Sequence, residues 1–133
     1  DGKADFLYGG HEWDGATTIV LNPGNNKFAT GTKIIIPAVA GMGVVLDFVY
    51  TPSNNSIYLM RTGGDATFAN FYQGVFVQKY SLTTKISSII VNMPNYHESR
   101  AGAAPWATWL PWIDEQDGYI VSDWGNAFKV RVE

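Results

Sequence analysis

Short apolar runs rich in β-branched and aromatic residues alternate with turn-forming clusters along this chain. Residues 17–21 (TTIVL), 33–36 (KIII), 44–50 (VVLDFVY) and 56–61 (SIYLMR) each predict a strand. So do residues 71–78 (FYQGVFVQ), 86–92 (ISSIIVN) and 118–122 (GYIVS). Residues 127–132 (AFKVRV) give the cleanest alternation, with Phe128, Val130 and Val132 on one side and Lys129 and Arg131 on the other.

The breaks between these runs are chemically explicit. Asn22-Pro23-Gly24-Asn25-Asn26, Ala40-Gly41-Met42-Gly43 and Thr51-Pro52-Ser53-Asn54-Asn55 supply residues that reverse a chain. Thr62-Gly63-Gly64-Asp65, Asp117-Gly118 and Trp124-Gly125-Asn126 continue the series. No apolar repeat at helical spacing lasts three turns, and residues 67–72 predict at most a short helical turn. Connections this short exclude helical crossovers, so antiparallel pairing is expected. The pattern predicts one all-β domain over residues 1–133, an antiparallel β-sandwich or barrel of jelly-roll type.

Composition narrows the function classes. The chain has no cysteine, which removes disulfides and thiolate chemistry. Its net charge is −3, with no Lys/Arg run to neutralise phosphates or hold an acidic membrane, so neither nucleic-acid binding nor membrane insertion is expected. Charged residues make up 16% of the chain, below the ordinary quarter or so. Five Trp, seven Tyr and seven Phe make an aromatic surplus that a chain of 133 residues buries with difficulty. That surplus predicts a homo-oligomer. The opening Asp1-Gly2-Lys3-Ala4-Asp5 has no apolar run behind a basic head, and with no initiator Met the chain reads as a piece excised from a larger protein or lying at its C-terminal end.

One segment stands out chemically. Trp106, Trp109 and Trp112 recur at every third position between Pro105 and Pro111. In a polyproline helix, with three residues per turn, the indoles share one side; in a strand, Trp109 opposes the other two. Asp114, Gln116, Asp123 and Trp124 follow closely. Flat aromatic surface beside planar polar groups suits a sugar, whose C–H face stacks while its hydroxyls hydrogen-bond. The same Trp residues also suit a core or a subunit interface.

Other constellations carry less. His11 and His97, each followed by Glu, are the only histidines and the only metal-ligand candidates beside carboxylates. They lack the H-E-x-x-H spacing and read first as loop residues, so no metal site is expected. The acids at 114, 115, 117 and 123 offer oxygens for calcium, but without the EF-hand pattern a solvated acidic loop is the better reading and no cofactor is expected. No nucleophile elbow, P-loop or dinucleotide fingerprint occurs, so no catalytic residue is assigned.

Leu7-Tyr8-Gly9-Gly10, then Trp13-Asp14-Gly15, Thr17-Thr18-Ile19-Val20-Leu21 and Lys33-Ile34-Ile35-Ile36 resemble the opening of C-terminal head domains of phage tail fibres. The resemblance covers about the first third of the chain and does not extend to residues 106–124. It implies a trimer on a virion surface, or otherwise outside the cell, that recognises a host-surface glycan or receptor. The functional expectation is a non-enzymatic, lectin-like recognition domain binding cell-surface carbohydrate. The alternatives are a structural or assembly β domain whose Trp segment packs between subunits, and a small glycan hydrolase with paired carboxylates.

Overall fold

A computed structural model describes residues 1–9, 16–39, 42–62, 75–93, 111–114, 119–122 and 129–131. These residues form three antiparallel sheets, and the only helical elements among them are two single 3₁₀ turns. The protein is all-β, as the alternation of β-rich runs and turns predicts.

The first sheet is a meander of β1 (Phe6–Gly9), β2 (Thr17–Val20) and β3 (Lys33–Ile36). The second runs β4 (Val44–Thr51), β5 (Ser56–Thr62), β6 (Val75–Ser81) and β7 (Ser87–Met93) in sequence order. The third pairs β8 (Pro111–Asp114) with β9 (Tyr119–Ser122), and β9 with β10 (Lys129–Arg131). β8 also lies close to β4 and β5. Neither β1 nor β8 is among the runs that the sequence marks as strands. Pro111 is the first residue of β8, a position where its missing N–H costs no ladder bond.

Pleating, not composition, decides which residues are buried. Ile34, Ile35 and Ile36 are chemically identical, yet Ile36 is fully buried while Ile35 is 64% exposed. The register Leu7↔Ile19↔Ile34 and Thr17↔Ile36 defines the inner side of the first sheet. The register Tyr50↔Ile57↔Tyr80 and Phe48↔Leu59↔Gln78 defines the facing side of the second. Ile19, Ile36, Ile57, Leu59 and Tyr80 form one core cluster between them. All seven residues of β5 are buried, including Tyr58 and Met60, which point away from this core. A strand buried on both sides needs no alternation, which is why SIYLMR reads as a nearly continuous apolar run.

The inter-sheet space changes character along its length. At one end it is closed by polar side chains. Arg61 is fully buried; its Nε donates to Gln78 Oε1 at 2.7 Å and its guanidinium reaches Thr17 Oγ1 on β2 at 3.2 Å and the Met42 carbonyl at 3.2 Å. Gln78 Nε2 donates in turn to the Pro37 carbonyl at 3.2 Å and to Ser87 Oγ at 2.7 Å. The apolar cluster fills the middle. The other end, where β1 begins and β4 and β6 finish, is open.

Candidate functional site

The open end is a cleft of about 470 Å³, within the ordinary range for small-molecule sites. Its floor is the edge of the core: Ile19, Ile34, Ile57 and Leu82. One wall is β4, which places Phe48 and Tyr50 two residues apart on the same side of the sheet. That spacing sets them about 7 Å apart along the strand. Phe48 is 44% exposed and Tyr50 is 48% exposed, so both present ring surface to solvent although they belong to the core-facing side. Phe6 and Leu7 of β1 contribute to the opposite wall.

The rim is built by three loops. Asn22 organises the first. Its side-chain oxygen accepts from the N–H groups of Gly24 at 2.9 Å and Asn26 at 3.2 Å, and its amide donates to Asn26 Oδ1 at 2.7 Å. The same amide donates to the Ala4 carbonyl at 3.1 Å, and the Asn22 backbone N–H donates to Asp5 Oδ1 at 2.8 Å. One buried Asn thus ties residues 4–5 to the end of β2 and holds Asp5 at the cleft.

The other two loops are joined to each other. The β4–β5 turn is a 3₁₀ turn, Pro52–Asn54, ended by Asn55 in the left-handed conformation at φ 48°. The β6–β7 turn follows Ser81 and ends on Lys85, also left-handed at φ 62°. Leu82 N–H donates to the Asn55 carbonyl at 2.9 Å, and Asn55 Nδ2 donates to Thr83 Oγ1 at 2.9 Å. Tyr50 O–H donates to Asn55 Oδ1 at 3.1 Å, which fixes the tip of the ring on the cleft wall. Asn55 and Lys85 both line the cleft.

This arrangement offers aromatic faces, an aliphatic floor and a rim bearing Asp1, Asp5, Asn55 and Lys85. It is equipped to bind a ligand with an apolar face and polar edges. Among the described residues no group of three or more His, Asp or Glu gathers as a metal site.

Of the residues that the sequence singles out, Trp112 and Asp114 lie on β8, opposite Val121 and Tyr119. Of the two conformations weighed for the Trp segment, Trp112 takes the extended strand, and Asp114 is the last residue of that strand. Trp106, Trp109, Gln116, Asp123, Trp124, His11 and His97 lie outside the described residues. The cleft residues Phe48, Tyr50, Asn55 and Lys85 were not singled out by the sequence. A signal existed for two of them: aromatics at i and i+2 directly before the Thr51-Pro52 turn. Lys85, in a Thr-Thr-Lys turn, carried none.

No protein-family model, curated protein or solved structure matches this chain.

Proposed function

We propose that this protein is a non-enzymatic recognition domain that binds carbohydrate in the cleft between its first two sheets. The observation that carries the reading is the exposed pair Phe48 and Tyr50, set above polar groups of both charge signs. An aromatic wall accepts the C–H face of a sugar ring, and Asp5 and Asn55 stand where hydroxyls need partners. Both walls rest on paired strands and hydrogen-bonded turns, so little ordering entropy is lost on binding. The fibre-head resemblance agrees with such a role on a virion or cell surface.

A glycan array is the test. The protein should bind a limited set of oligosaccharides, and Phe48→Ala and Tyr50→Ala should each abolish or strongly weaken those signals. An array silent for the wild-type protein, or signals indifferent to both substitutions, would remove the reading.

A structural or assembly role is favoured by a different observation. The outer side of the first sheet exposes Phe6, Tyr8 and Ile35. Phe6 lies 5.8 Å from Tyr8 and 6.1 Å from Phe28 between ring centroids, while Ile35 stands across Thr18 from Tyr8 on the same side of the sheet. A second copy of the chain packed there would bury it and supply the oligomer that the aromatic surplus predicts.

A further inference from the structure

We infer that the cleft selects acidic saccharides, holding a sugar carboxylate on Lys85. The inference rests on the carbohydrate reading above and adds the ligand's charge to it.

The polar groups of the rim differ in how far they are already committed. Asp1 Oδ1 accepts the Lys3 N–H at 3.0 Å, and Asp1 Oδ2 sits 3.6 Å from Lys3 Nζ. Asp5 Oδ1 accepts the Asn22 N–H at 2.8 Å. Asn55 accepts from Tyr50 and donates to Thr83. Asp1 is thus paired with the Lys3 ammonium, and Asp5 is held by the backbone N–H of Asn22 at the end of β2. Lys85 Nζ has no carboxylate or hydrogen-bond acceptor among the described residues. Of the side-chain charges on the rim, Lys85 is the one with no partner among the described residues.

The turn that carries Lys85 has no use for a lysine. Its bonds are made by the backbone and by Ser81: Lys85 N–H to the Ser81 carbonyl at 2.9 Å, Ser81 N–H to the Ile86 carbonyl at 3.0 Å, and Thr84 N–H to Ser81 Oγ at 3.1 Å. The left-handed position that closes such a hairpin turn is the usual place for Gly or Asn, because a longer L side chain is strained there. A long cationic residue thus occupies a strained position on the cleft rim, without an internal contact that accounts for it. Strained residues concentrate at ligand sites, and here the side chain that the strain supports is the uncommitted cation. A pyranose carboxylate meets both requirements. Its ring stacks on Phe48 or Tyr50, and its substituent reaches an ammonium on the same rim.

The experiment uses an array of sialylated and uronate-containing oligosaccharides printed beside the same glycans with each carboxyl reduced to an alcohol. The wild-type protein should bind the carboxylated forms about tenfold more tightly, the scale of one charge-assisted bond, and raised salt should erode the difference. Lys85→Gly and Lys85→Gln should bind both forms alike, while Lys85→Arg keeps the preference. Lys85→Gly should melt at or above the wild-type temperature, because Gly relieves the left-handed strain, so lost preference cannot be lost folding. Equal binding of the two forms by the wild-type protein, or a preference that survives Lys85→Gly, would overturn the inference. In that case neutral glycans that still depend on Phe48 would leave the carbohydrate reading standing; no binding of either form would end both.

Discussion

Arg61 Nε donates to Gln78 Oε1 at 2.7 Å, and neither residue exposes any surface to solvent. The two lie on neighbouring strands, β5 and β6, on the side that faces the first sheet. Through Thr17 on β2 and the Pro37 carbonyl after β3, this pair also ties one sheet to the other. A buried guanidinium is tolerated only where its donors are met, so Gln78→Leu should cost about 1.5–3 kcal/mol. Arg61→Met combined with Gln78→Leu should recover much of that loss, since the apolar pair leaves neither an unmet donor nor a desolvated charge at this contact. Urea unfolding of the three variants measures both effects. A Gln78→Leu protein as stable as wild type would show that the bond contributes nothing.

Gly9 ends β1 with φ at 106°, and a Cβ there would collide with the Ala16 carbonyl oxygen. Gly9→Ala should therefore destabilise by about 1–3 kcal/mol, the scale of a strained backbone position. Because Gly9 pairs with Thr17, the damage should also reach the Arg61 end of the inter-sheet space. Thermal melting gives the cost. Amide exchange should show faster opening of β1 and β2 than of β5, and uniform protection across these strands would contradict this placement.

Much of the fold is legible in the sequence because turns and β-branched runs are local signals. The strands at 17–20, 33–36 and 44–51 fall where alternation and Asn/Gly/Pro clusters place them. The site is not legible for a physical reason. Tyr50 and Tyr58 are the same residue type in strands of similar sequence, yet one is half exposed on a cleft and the other fully buried with Lys79 Nζ 5.6 Å from its ring centroid. What separates them is which strands flank and cover each one, a non-local fact. Arg61 is the sharper case. Arginine is almost never fully buried unless its donors are met, and the convergence of Gln78, Thr17 and the Met42 carbonyl is what makes its burial possible.

Trp106, Trp109, Trp112 and Trp124 form the segment with the most aromatic surface in the sequence. Single Trp→Ala changes should divide them. A packing Trp should cost about 3–5 kcal/mol, while a ligand-facing Trp should weaken glycan binding with the melting temperature nearly unchanged. If all four substitutions unfold the protein, the segment is structural and the sugar-binding role rests on the cleft alone.

The exposed strip of Phe6, Tyr8 and Ile35 predicts self-association. Sedimentation equilibrium at micromolar concentration should give a multiple of 14.6 kDa, with a trimer expected from the fibre-head resemblance. Ile35→Lys should shift that mass to the monomer without lowering the melting temperature of the dissociated chain, because Ile35 is 64% exposed within one copy. A wild-type monomer would contradict the assembly.

Amide shift mapping of the ¹⁵N-labelled protein, titrated with the strongest glycan from the array, locates the ligand on the fold. Perturbations are expected at Asp5, Phe48, Tyr50, Asn55 and Lys85, which share one cleft although they come from three separate stretches of the sequence. Tyr50→Ala should remove them while leaving the β5 and β6 amides in place. Perturbations confined to residues 106–124, with the cleft amides unmoved, would place the sugar outside the cleft.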